Sequence, residues 1–162
     1  MITRNLIAAI AAAAALGGCA MDTKVVGKDG AGTLLRRTCI FTPCRAIAVE
    51  VVGAKVNVDV DELKMYVGSR NLVLVWRLET PGWEFRTGGD FANPVIFKGI
   101  NAPDAPSQFS DILVREVRGV WYATIFNRNT DTKRYEYKVR VYRKGGGPND
   151  FLESDPAILN DY

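Results

Sequence analysis

Leu72-Val73-Leu74-Val75-Trp76-Arg77-Leu78 holds six large apolar residues and one arginine in seven positions. Side chains two apart in a strand share a face. Leu72, Leu74, Trp76 and Leu78 therefore line one side of a strand, and Val73, Val75 and Arg77 the other. Leucine and valine around a tryptophan suit a pleated, packed surface. The stretch reads as the central strand of a β fold.

The same period of two runs outward in both directions. Upstream, Ile47, Val49 and Val51 alternate with Ala48 and Glu50. Val56, Val58 and Val60 alternate with Asn57 and Asp59, and Leu63, Met65 and Val67 with Lys64 and Tyr66. Downstream come Trp83 and Phe85 around Glu84, then Val95-Ile96-Phe97, then Ile112 and Val114 around Leu113. Val120, Tyr122, Thr124 and Phe126 alternate with Trp121, Ala123 and Ile125. Tyr135, Tyr137, Val139 and Val141 alternate with Arg134, Glu136, Lys138 and Arg140. Turn residues punctuate the runs at Pro81-Gly82, Gly88-Gly89 and Arg118-Gly119. The expected fold is all-β: a single antiparallel β-sandwich of about seven to nine strands over residues 46–144, with no convincing amphipathic helix. Gly145-Gly146-Gly147-Pro148 closes it. Residues 145–162 then read as a Gly-rich linker and an acidic tail, whose Phe151, Ile158 and Leu159 give it something to dock with.

The chain begins differently. Arg4 precedes an apolar run over residues 6–16, followed by Gly17 and Gly18. A charged start, a short apolar stretch and small residues have the layout of a secretory signal. The run falls short of the roughly 20 apolar residues that span a bilayer. Leu16-Gly17-Gly18-Cys19 resembles the lipobox of bacterial lipoproteins. That resemblance implies diacylglyceryl transfer to the Cys19 thiol, cleavage before Cys19 and acylation of the new amine. Two or more acyl chains hold a protein stably on a membrane. Ala20, in the place where aspartate directs inner-membrane retention, implies the outer membrane, facing the periplasm. Residues 1–18 are thus expected to be the signal peptide. Residues 19–45 are expected to hold lipidated Cys19, a tether and a disulfide loop.

The loop rests on Cys39 and Cys44, one pair at short spacing in an exported chain. Such a pair reads most simply as a structural disulfide. Arg36, Arg37 and Arg45 flank it and would favour thiolates. The spacing nevertheless differs from that of thioredoxin-like sites.

Trp76 on the central strand and Tyr135-Glu136-Tyr137 on the last give residues 46–143 a pattern similar to immunoglobulin-like and cupredoxin-like sandwiches. A cupredoxin copper site needs two histidines and a cysteine near its closing strands, and the chain departs from that set. As a whole it resembles small uncharacterised lipoproteins of proteobacteria, a resemblance that implies no known activity.

The sequence contains no histidine among its 162 residues. Ser-His-Asp and Cys-His nucleophile pairs, imidazole-based zinc or copper sites and histidine pH switches are excluded. No cofactor or metal is expected. A formal net charge of +3 gives no argument for nucleic acid. The candidate binding surface is a basic stripe, Arg134, Lys138 and Arg140, on one face of the last strand. It suits an anionic envelope component or an acidic envelope protein. Read blandly, the stripe protects a sheet edge, or the acidic tail covers it within the same molecule. Trp83, beside Pro81-Gly82, is the candidate exposed aromatic. Asp59, Asp61 and Glu62 form a carboxylate cluster without calcium-loop spacing.

The expected function is a non-enzymatic, lipid-anchored binding or accessory module of the cell envelope. An inhibitor of an envelope hydrolase such as lysozyme is the alternative, although the Ser-Gly-x-x-Tyr loop of lipoprotein lysozyme inhibitors is missing. A thiol-based metal or redox protein, using Cys39, Cys44, Met21 and Met65, is the third class.

Overall fold

The computed structural model describes residues 44–65 and 70–160. In chain order the strands are β1 (Cys44–Val52), β2 (Lys55–Val58), β3 (Glu62–Lys64), β4 (Leu72–Leu78), β5 (Trp83–Glu84), β6 (Val95–Lys98), β7 (Leu113–Val117), β8 (Val120–Asn127), β9 (Arg134–Arg143), β10 (Phe151–Ser154) and β11 (Ala157–Leu159). A 3-10 turn (Ala102–Asp104) and a one-turn helix, α1 (Ala105–Gln108), lead from β6 towards β7.

Two sheets pack face to face as a sandwich. The first has the order β2-β1-β4-β8-β7, so the apolar stretch 72–78 is its central strand. Leu74, Trp76 and Leu78 turn inward and join Ile47, Val49, Ala123 and Ile125. Facing them are Tyr135, Tyr137, Val139 and Val141 of β9, the long strand at the middle of the second sheet. Trp76 and Tyr137 meet edge to face across the gap, with ring centroids 5.5 Å apart. The indole Nε1–H donates to the Tyr137 hydroxyl at 3.3 Å. Fully burying one such side chain contributes about 1.5–3 kcal/mol. The other face of β4 is apolar too, and Val73, Val75, Val120 and Tyr122 form a second cluster there.

Alternation in sequence is blind to strand direction, and here the expectation needs correcting. The sheets are mixed, not wholly antiparallel. β1 runs parallel to β4, with Cys44 opposite Val73 and Val49 opposite Leu78. Parallel neighbours need a crossover, and β3, which lies in the opposite sheet, sits within that connection. β3 itself runs parallel to β11, with Leu63 opposite Ile158.

The strands number eleven among the described residues, and two of them come from the segment expected as a tail. That segment is built into the second sheet. β10 and β11 lie end to end along one edge of β9, pairing Phe151 with Tyr142 and Leu159 with Arg134. Ile158 is completely buried. The sandwich therefore continues past residue 144 to the end of β11.

β5 and β6 occupy the other edge of β9. β7 and β8 are joined by the expected tight turn. Arg118 and Gly119 both have positive φ, 53° and 84°, as a two-residue hairpin of the twist-matched type requires. On one flank of the sandwich β2 lies against β10. On the other, β6 of the second sheet faces the residues that enter β7 in the first. There residues 108–110 extend the first sheet: Ser110 N–H donates to Phe126 O at 2.9 Å and Arg128 N–H to Gln108 O at 2.8 Å.

Candidate functional site: a cleft at the open flank

The basic stripe is brought together as expected, on the outer face of β9, but its charges are already matched. Lys138 Nζ lies 2.7 Å from Glu153 Oε2, and Arg140 donates to Glu153 Oε1. The Arg140 guanidinium also covers the Phe151 ring at 3.9 Å. Arg134 bonds Glu62 at 2.8 Å and Glu136 at 2.5 Å. Edge protection fails as an explanation, because β9 has strands on both sides. Lys138 and Arg140 seat β10, the strand that carries Glu153, while Arg134 ties β9 to Glu62 of β3. Of the Asp59, Asp61 and Glu62 cluster, Glu62 is occupied by Arg134, and the Asp61 carbonyl accepts Ala157 N–H at 2.8 Å.

Trp83 is half-buried, not an exposed platform. It packs on the main core, and the Arg143 guanidinium lies 4.9 Å from its ring centroid. Cys44 opens β1 and packs beside the Val73/Val75 cluster. Cys19 and Cys39 lie outside the described residues, as do the signal, the lipobox and the tether.

The pattern of strands did not announce the site that the fold builds. Between β6 and residues 105–112 lies a cleft of about 900 Å³. Ligand sites typically occupy roughly 300–1,000 Å³. Val95, Phe97, Phe109, Ile112 and Ile125 supply its apolar lining. Phe97 and Phe109 stack at 4.4 Å between centroids, 24° from parallel, and bridge the two sheets at one end. Phe109 in turn meets the edge of Tyr135 at 5.0 Å.

The rim is polar: Thr87, Asn93, Ser110, Asp111 and Arg128. Thr87 Oγ1 donates to Asn93 Oδ1 at 2.6 Å, and Arg128 Nη1 donates to Ser107 O at 2.6 Å. The cleft surface is mixed: Val95, Phe109 and Ile125 are almost fully buried in the core behind it, Phe97 and Ile112 are partly exposed, and one charge of each sign stands on the rim. Sequence held a partial signal for it. The short Val95-Ile96-Phe97 run and the Phe109/Ile112 pair bracket a loop with Pro103 and Pro106.

No protein-family model matches this chain, and no curated protein matches it either. Among the described residues, no helix is long and apolar enough to cross a membrane.

Proposed function

We propose that this chain is a non-enzymatic lipoprotein of the bacterial cell envelope, a binding module held on the outer membrane by acylated Cys19 and facing the periplasm. The observation that carries the reading is Leu16-Gly17-Gly18-Cys19 directly after the apolar run 6–16. Residues between Cys19 and β1 form the tether, and a Cys39–Cys44 disulfide pins its entry into the sandwich. Two features support a contact role. The hydrogen-bonded, closely packed sandwich presents a preformed cleft, and its basic stripe is spent within the molecule. The partner is therefore an envelope protein met at the cleft, in preference to an anionic headgroup met at β9.

Metabolic labelling with palmitate tests the anchor. The wild-type chain is expected to carry label in the membrane fraction, and Cys19→Ala to lose both the label and the membrane association. An unlabelled wild type, or a labelled Cys19→Ala chain, would overturn it.

A further inference from the structure

The first sheet has two faces, and only one of them meets the second sheet. Leu74, Trp76 and Leu78 of β4 point into the sandwich, while Val73 and Val75 point the other way. On that outer face Val75 and Tyr122 are only 1% and 3% exposed, and Val73 and Val120 are buried too. Among the described residues, the apolar side chains packed against these four all belong to the same sheet: Cys44, Ala46, Val117 and Phe126. Side chains stand roughly perpendicular to a sheet, so strand neighbours flank a tyrosine without roofing it. The burial also has a boundary. Leu113 of β7, opposite Thr124 on the same face, is 59% exposed. A cover therefore lies along β4 and β8 and stops short of Leu113. At one end of this face β1 begins, with Cys44 opposite Val73. At the other end Glu50, Asp59 and Glu79 surround Arg77 in a hollow of about 540 Å³. Three carboxylates there meet one guanidinium, which is paired with Glu79.

We propose that the outer face of β4 and β8 is the docking surface for residues 34–41 of this same chain. That stretch reads Leu34-Leu35-Arg36-Arg37-Thr38-Cys39-Ile40-Phe41, and only Thr42 and Pro43 separate it from Cys44. It therefore arrives at the face without a linker. Its leucines, isoleucine and phenylalanine supply apolar area for Val75 and Tyr122. Arg36 and Arg37 match the excess negative charge of the hollow at the far end. The lengths agree. Ala48, at the hollow, lies about 13 Å along β1 from Cys44. Eight extended residues reach up to about 28 Å. Where Cys19 is acylated, the docking shortens the link to the membrane from residues 20–43 to residues 20–33. Their extended reach of at most about 50 Å then limits how far the cleft stands from the bilayer. That consequence rests on the lipoprotein reading, whereas the docking itself does not.

The test uses residues 19–162 with Cys19→Ala, which keeps lipid out of the measurement, and isotope-labelled Leu, Val and Ile methyl groups. Nuclear Overhauser contacts are expected from the Leu34 or Leu35 methyls to the Val75 methyls or the Tyr122 ring, at every protein concentration. The Val75 methyls are expected to be shielded from a dissolved gadolinium chelate. Leu34→Asp with Leu35→Asp is expected to remove the contacts and raise the relaxation of Val75 by the chelate at least fivefold. The Trp76–Tyr137 contact inside the sandwich should persist in that variant and so report an intact fold. Should it be lost, the contacts in the parent chain decide. Arg36→Glu with Arg37→Glu is expected to weaken the contacts, and adding Glu50→Lys and Asp59→Lys to restore them. Absence of contacts between residues 34–41 and this face would overturn the proposal, whether Val75 is open to the chelate or shielded by something else. So would unchanged shielding of Val75 in the folded double-aspartate variant. Contacts that grow with protein concentration would overturn it as well, by making a second copy the cover. None of these probes reports on acylation, so failure here and failure of the anchor are separable.

Discussion

Glu153 accepts two hydrogen bonds from Arg140 on a single oxygen, Oε1, from Nε at 2.8 Å and from Nη2 at 2.5 Å. Its other oxygen is left for Lys138. Burial alone would raise the Glu153 pKa, but the hydrogen bonds and charges of Lys138 and Arg140 outweigh it and hold the carboxyl below its ordinary 4.5. The folded value is below the unfolded one, so the stabilisation is present above about pH 4.5 and is lost as pH falls through the folded value. Glu153→Gln is expected to cost about 1–2 kcal/mol at pH 7. It should also flatten the acid limb of stability. Urea titrations at pH 7 and pH 3.5 measure both.

Tyr137 and Tyr135, both pushed above the ordinary phenol range, weaken the fold on the alkaline side. Burial pushes the Tyr137 phenol up from 10.0 despite the opposing hydrogen bond from Trp76. Above pH 10 the unfolded chain ionises first, so stability falls as pH rises. Tyr137→Phe removes its share of that loss, leaving that of Tyr135, and leaves the buried Trp76 N–H without its acceptor. The variant is expected to be about 1–2 kcal/mol less stable at pH 7. Its decline between pH 10 and pH 11.5 should be shallower than that of the wild type. Denaturant unfolding followed by tryptophan fluorescence reads this.

The C-terminal segment is predicted to be indispensable. Asn160 Oδ1 accepts from Asn127 Nδ2 at 2.9 Å, and Asn160 Nδ2 donates to Asp131 Oδ1 at 3.0 Å. Asp131 also accepts the Tyr135 hydroxyl at 2.6 Å. Asn160→Leu strands these buried groups and is expected to cost about 1–3 kcal/mol. Ending the chain at Pro148 removes β10, β11 and buried Ile158. A chain so shortened is expected to give a collapsed amide spectrum with no cooperative melt.

The bridge of Phe97 and Phe109 sets the shape of the cleft. Phe109→Ala is expected to destabilise by about 3–5 kcal/mol, since it empties a buried aromatic site. Thr87→Ala on the exposed rim should stay within about 0.5 kcal/mol of wild type. Thermal or chemical unfolding of the two variants side by side checks the contrast.

Side-chain alternation carried most of the fold. Leu74, Trp76 and Leu78 face inward as their spacing requires, and β9 buries Tyr135, Tyr137, Val139 and Val141 while Arg134, Lys138 and Arg140 stay outside. Period two says which face a residue takes. It does not say which strand lies alongside, or in which direction. Hence β1 beside β4 and β11 beside β3, both parallel, were beyond it. The apolar residues of the tail gave it something to dock with, but not its place as two strands of the second sheet. Glu153 and Asp155 look like solvated acids until Lys138, Arg140 and Lys98 are seen to meet them. The basic stripe meets that tail, as the opposite charges of the two segments allow. The cleft depends on β6 and residues 108–112 arriving at one flank from different sheets, a relation between distant segments that local spacing does not encode.

The intact mass of the protein purified from bacterial membranes tests the central claim most directly. The account predicts a chain of residues 19–162, with Cys39 and Cys44 oxidised to a disulfide, a diacylglyceryl group on Cys19 and a further acyl chain on its amine. An unacylated polypeptide mass, or a mature chain that starts anywhere other than Cys19, would contradict it.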